Sequence, residues 1–286
     1  MAFLEVRHLS KSFPSPAGPR HVLKDVSLDV EQGEFVSIVG SMGSGKSTLL
    51  SLLAGLTAPD GGTVQLDGTP VTGVRSDGAF VFQNYSLLPW FSALENVRLA
   101  VSAAFPDLPA TEQRARAADA LERVGLGNAL DRKPRQLSGG MRQRVSLARG
   151  FATAPRVLFL DEPFGALDAL TRGALQQDLA RLCTERERPV TTVMITNNVE
   201  EAILLSDRIV PIVAGPPASL GSPIVVELAR PRTAAQLAHD EQATHARAHV
   251  VAALMASLQR RGRPSGNEPI PALSASPEPA KASGRA

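Results

Sequence analysis

The chain has 286 residues, 43% hydrophobic and only 4% aromatic, with 30 basic against 28 acidic side chains and a formal net charge of +2. That length suits one large domain or two small ones, and so small a net charge makes no electrostatic case for nucleic acid. No run of eighteen apolar residues occurs, Glu5 sits where a secretory leader would be basic or apolar, and Cys183 stands alone in a charged stretch. A soluble cytoplasmic protein is expected, one that reaches any membrane through a partner.

In chain order, residues 3–9 and 22–30 alternate apolar and polar side chains and predict strands, joined by a Pro/Gly loop at 14–19. Phe35-Val36-Ser37-Ile38-Val39 is an apolar, β-branched run suited to a buried strand. Further strands are predicted at 63–66 and 79–82, and residues 95–150 read as helical, forming an inserted lobe. Strands at 157–160, 191–195 and 208–213 follow, with a helix at about 170–187 between the first two. This order predicts an α/β fold: a mostly parallel sheet with helices on both faces, an N-terminal antiparallel β portion and the inserted helical lobe. Residues 233–261 are alanine-rich and predicted helical. From Arg263 onward Pro, Ser, Ala and Gly dominate, the composition of a disordered tail.

The strand at 35–39 runs into Gly40-Ser41-Met42-Gly43-Ser44-Gly45-Lys46-Ser47-Thr48. The glycines let the backbone wrap a triphosphate with its N–H groups inward, and the helix that begins near Lys46 offers its positive end. Lys46 is placed for the β- and γ-phosphates, and the Ser47 hydroxyl for Mg²⁺. Chance produces such a match in roughly one chain in a hundred of this length. A second apolar strand, Val157-Leu158-Phe159-Leu160, ends in Asp161-Glu162-Pro163. A carboxylate beside a phosphate loop holds Mg²⁺, the role of Asp161. Glu162 is then placed to polarise the water that attacks the γ-phosphate.

Between these motifs stands Leu137-Ser138-Gly139-Gly140-Met141-Arg142-Gln143-Arg144, similar to the signature of the ATP-binding cassette (ABC) ATPases. With it, residues 1 to about 230 resemble that family, with the lobe at about 90–153, a helical extension at 231–262 and a tail at 263–286. The resemblance implies the P-loop cassette fold, ATP and Mg²⁺ as ligands, and roles residue by residue. Phe13 matches the aromatic that stacks on adenine, usually a tyrosine. Gln83 matches the glutamine that senses Mg²⁺ and the γ-phosphate and faces the membrane subunit. Ser138, Gly139 and Gly140 match the group that contacts the γ-phosphate held by the other protomer, and Asp168 matches the loop that crosses between protomers. Two copies, or one copy and a paired ATPase subunit, then sandwich two ATP. An integral membrane permease and, indirectly, a periplasmic solute-binding protein are the implied partners. The implied place is the cytoplasmic face of the inner membrane, peripherally bound.

One position departs from the family. Asn197 stands where a histidine normally bonds the γ-phosphate; asparagine still donates but cannot titrate. Either the motor is slowed or asymmetric, or the substitution is tolerated. The presence of Glu162, Lys46 and Gln83 favours the second. Leu87-Leu88-Pro89-Trp90 resembles the nitrate/sulfonate/taurine importer branch. Asn84-Tyr85-Ser86 and Ala202–Arg208 look more like its nitrate, cyanate and bicarbonate members. A sulfonate or taurine importer is the alternative; a soluble non-transport ABC protein or a small-molecule kinase fits less well.

Overall fold

A computed structural model of the chain describes residues 2–16, 18–184, 189–213, 215 and 217–261. The expected tail at 263–286 lies outside the described residues. β1 (Leu4–Phe13) and β2 (Arg20–Val30) form an antiparallel pair. β3 (Phe35–Val39), buried at every residue, leads into α1 (Lys46–Leu53). β4 (Gly61–Leu66) pairs with β1 and carries the short β5 (Thr69–Pro70), giving an antiparallel sheet in the order β2-β1-β4-β5. β6 (Gly78–Val81) is followed by α2 (Ala93–Ala104), α3 (Ala110–Arg123) and α4 (Gly139–Ala152). Two 3-10 turns, Gly127–Ala129 and Pro134–Gln136, interrupt the stretch expected to be helical throughout. Proline at 134 removes a helical donor there.

β7 (Val157–Asp161), α5 (Ala169–Thr184), β8 (Thr191–Thr196), α6 (Val199–Leu205) and β9 (Arg208–Val213) follow. The short strands β10 (Ser219–Leu220) and β11 (Ile224–Val225) and the helices α7 (Ala234–Leu237) and α8 (Glu241–Arg261) complete the described chain. The second sheet runs β10-β9-β3-β8-β7-β6, parallel from β9 to β6, with β10 and β11 antiparallel on β9.

Both faces of that sheet are buried, which is why its strands are continuously apolar. In β7, Val157 and Phe159 join one apolar cluster, while Leu158 and Leu160 join the other. The first cluster takes in Leu49, Leu50, Leu52 and Leu53 of α1 with Leu4, Val6, Val26 and Val64 of the antiparallel sheet. The second runs from Val97, Leu121 and Val145 of α2–α4 to Leu175 and Leu179 of α5 and Ile203 of α6. Each fully buried leucine stabilises by about 1.5–3 kcal/mol. The sequence predicts helices on both faces; on the α1 side a second sheet completes the cover. Strands β1, β2 and β4 each present one apolar face, and that face is satisfied by packing over the parallel sheet.

The C-terminal helix docks through small residues. Ala243, Ala246 and Val250 of α8 are buried, and α8 packs on α6 and β9. Arg247 of α8 also forms a bidentate pair with Glu200 of α6, at 2.5 and 2.9 Å.

Candidate functional site

The parallel register brings the expected site residues to one edge. Val39, the last residue of β3, pairs with Thr196 of β8, and Ile195 pairs with Asp161 of β7. The ends of three adjacent strands therefore release the phosphate loop, Asn197 and Glu162 side by side. Ligands gather at this carboxyl edge of an open α/β sheet.

The loop owes its path to glycine. Gly43 and Gly45 have φ of +72° and +92°, a region that favours glycine, and Gly45 forms the N-cap of α1. At Gly40 a Cβ would come within 2.2 Å of Ile212 Cγ2, so no larger residue fits. Lys46 is 4% exposed and donates to Gly40 O at 3.0 Å and Ser41 O at 2.9 Å. Its Nζ lies 3.6 Å from Glu162 Oε1. Burial pulls the ammonium below its ordinary pKa despite that carboxylate.

Ser47 donates to Asp161 Oδ1 at 3.3 Å, and Gln83 Nε2 donates to Glu162 Oε2 at 3.1 Å. Burial raises the pKa of Asp161 above the usual aspartate value, opposed by the Ser47 bond and reinforced by neighbouring Glu162. Glu162 holds a positive φ of 42°, unusual for a side chain of its size. An open cleft of about 850 Å³ is lined by Phe13, Gly43, Gly45, Lys46, Ser47, Thr48, Gln83 and Glu162.

The residues present fit a nucleotide with Mg²⁺. The Ser41 and Ser44 hydroxyl oxygens are buried in the loop with no hydrogen-bond partner among the described residues. Unpaired buried hydroxyls of this kind are rare in folded proteins unless a ligand completes them. Ser47 and Asp161 add a hydroxyl and a carboxylate, the hard oxygen donors that Mg²⁺ takes.

Two lining residues, Arg20 and Val22, escape sequence reading, and Met42 enters there only as part of the loop run. Arg20 is legible only through register, because it pairs with Phe13 across the β1–β2 hairpin. Asn197 is exposed at the end of β8. Asn198 beside it caps α6, accepting from Glu200 N at 2.9 Å. The signature residues do not line this cleft. Ser138 caps α4 by accepting from Met141 N at 3.2 Å, and Gly140 lies against α5, where a Cβ would meet Thr171 Cγ2 at 2.3 Å. Asp168 is also outside the cleft and caps α5. Its carboxylate accepts from Thr171 N at 3.0 Å, a bond that holds it below the usual carboxylate range.

A phosphate loop, a carboxylate pair and a glutamine at the carboxyl edge of a parallel sheet define a P-loop nucleotide-binding cassette. The ABC transporter family model matches residues 23–165. The bicarbonate transport ATP-binding protein CmpC of Synechococcus elongatus is 50% identical over 238 residues, covering 83% of this chain and 36% of its own. The nitrate import ATP-binding protein NrtD of the same organism is 49% identical over 230 residues, covering 80% of this chain and 83% of its own. The chain thus spans about a third of the CmpC relative and most of the shorter NrtD. Among solved structures, the dimeric post-hydrolysis state of the ATP-binding cassette MJ0796 bound to ADP and Pi superposes with a TM-score of 0.71 at 31% identity. That match covers 79% of this chain and all of the other. The chain belongs to the ABC transporter family.

Proposed function

We propose that the chain is the ATP-hydrolysing subunit of a bacterial importer for a small anion of the nitrate, nitrite, cyanate or bicarbonate type. The observation that carries this reading is the convergence of Lys46, Ser47, Gln83 and Glu162 on one cleft, with Asp161 bonded to Ser47 behind it. The chain holding that cleft is 42–50% identical to nitrate and bicarbonate import ATP-binding proteins. Lys46 and the loop N–H groups bind the β- and γ-phosphates, Phe13 stacks on the base, and Glu162 takes a proton from the attacking water. Ser47, Asp161 and Gln83 hold Mg²⁺, which when bound neutralises charge on the phosphate oxygens. Asn197 donates to the γ-phosphate in place of the family's histidine.

Ser138, Gly139, Gly140 and Asp168 act on the partner protomer's nucleotide, so the working unit is a homodimer or a pair with a second ATPase subunit. Their position outside the chain's own cleft supports this. Trp90, 62% exposed beyond Gln83, is placed with Phe91 to receive a helix of the permease. Residues 1–230 form the cassette, with the lobe at 90–153, and 231–262 the extension. The chain works on the cytoplasmic face of the inner membrane, indirectly with a periplasmic solute-binding protein.

The test is uptake by cells whose only copy carries Glu162→Gln, offered nitrate, cyanate, bicarbonate, taurine and an alkanesulfonate in turn. Loss of nitrate, cyanate or bicarbonate uptake alone is expected. Loss of taurine or sulfonate uptake instead moves the chain to the other branch, and survival of every uptake overturns the importer reading.

A further inference from the structure

The segment after Gln83 holds a conformation that its own residues disfavour. Tyr85 and Ser86 have positive φ, 66° and 46°, a region that residues other than glycine seldom occupy. The Ser86 N–H donates to Asn84 O at 2.8 Å, which makes Tyr85 the centre of a γ-turn of the rare, strained, positive-φ kind. Such a turn persists only where its surroundings over-determine it.

One helix supplies those surroundings. Arg149 of α4 donates to Ser86 O at 2.6 Å and to Tyr85 O at 2.8 Å, and the Ser146 hydroxyl donates to Tyr85 O at 3.2 Å. Among the described residues no carboxylate pairs with Arg149. Its guanidinium is spent on two carbonyls of the strained turn. The other end of the same helix meets the ring: Tyr85 Oη lies 3.5 Å from where a Cβ on Gly139 would stand. Arg142 lies over that ring, 5.5 Å from its centroid.

We propose that Arg149 is a positioning residue that latches the strained Tyr85–Ser86 turn to α4. Gln83, bonded to Glu162 in the cleft, is thereby held in fixed relation to Ser138–Gly140 at the start of the same helix. This rests on the ATPase reading above. The latch acts on the placement of Gln83 and not on the phosphates, so it governs turnover more than nucleotide affinity.

Steady-state ATP hydrolysis by the full-length protein tests it. Arg149→Ala is expected to lower kcat about tenfold with KM within about twofold, the scale of a small misplacement of a reacting group. Arg149→Lys, which keeps the charge but loses the planar fork that reaches both carbonyls, falls between. Adding Ser86→Gly to Arg149→Ala should restore at least about threefold in kcat, because glycine adopts the turn without the latch. A residue that only held the core together would not be rescued from within the turn. Unchanged kcat in Arg149→Ala, or no recovery in the double variant, overturns the latch. Should Arg149→Ala fail to fold, Arg149→Lys with and without Ser86→Gly carries the same comparison. If the parent protein hydrolyses no ATP and Asn197→His restores none, the ATPase reading fails, and amide hydrogen exchange at 84–88 then decides the latch. Faster exchange in Arg149→Ala supports it, and unchanged exchange overturns it.

Discussion

Asn197 is proposed to take the place of the family's histidine, and its surroundings argue that the change is tolerated. Its neighbours are firmly placed: Asn198 N donates to Thr196 Oγ1 at 3.0 Å, and Thr196 donates to buried Glu201 at 2.7 Å. The exposed Asn197 side chain is therefore presented from a fixed backbone and keeps an N–H donor. Purified protein should hydrolyse ATP, with Asn197→His changing kcat by no more than a few-fold. An inactive parent that gains turnover on Asn197→His would show the reverse. Asp161 gives a prediction with a definite sign. Burial raises its folded pKa above the ordinary 3.8, so the folded protein holds that proton longer than the unfolded chain. The associated stability is complete below pH 3.8 and lost as pH rises through the folded pKa. Asp161→Asn removes this loss. In the absence of Mg²⁺ its melting temperature should exceed the parent's by a margin that grows from pH 4 to pH 7, and Mg²⁺ with ATP should stabilise the parent more than the variant. A constant margin would place the effect elsewhere.

Among the elements, α6 and its neighbours show how the C-terminal extension is held. Arg232 is 6% exposed and donates to the carbonyls of Ile203, Ser206, Val226 and Leu228, satisfying the end of α6 and the segment after β11. Burial lowers its pKa to about 10, so it stays charged at neutral pH. Helix C-termini leave carbonyls that need such partners. Arg232→Ala should destabilise the protein by about 2–4 kcal/mol, because several buried acceptors lose a charged donor at once. A chemical denaturation midpoint within error of the parent would contradict this. Nothing in the local sequence separates Arg232 from Arg230, which instead pairs with Asp207 at 2.8 Å. Only the packing of the 226–232 segment against the end of α6 decides which of the two is buried.

For the whole molecule, the placement of Ser138–Gly140 outside the chain's own cleft makes assembly a prediction. Ser138→Arg puts a long side chain into the space where a partner's phosphate group should meet the N–H groups at the start of α4. ATP hydrolysis should fall about 100-fold or more, while binding of ATP by the single chain remains. In a Glu162→Gln background, ATP should drive the protein to dimers on size-exclusion chromatography, and Ser138→Arg should leave it monomeric. Retained turnover in Ser138→Arg would mean that one chain closes its own site.

The phosphate loop and the Asp161–Glu162 strand end were legible as sequence, because each function is carried by contiguous residues whose chemistry depends on local backbone form, whereas Gln83 was reached only through the family resemblance. The strands of the parallel sheet were legible for a related reason: burial on both faces writes an unbroken apolar run. The short helix α6, the two-residue strands β10 and β11 and the 3-10 turns before α4 left no comparable pattern, since such brief elements are held by their neighbours. Tertiary structure alone decided that Phe13 faces Arg20 across a hairpin, that Asn197 emerges beside Glu162, and that Arg149 grips a turn more than sixty residues away. These are matters of register and docking. They depend on which distant surfaces bury one another, and no local spacing of residues encodes that.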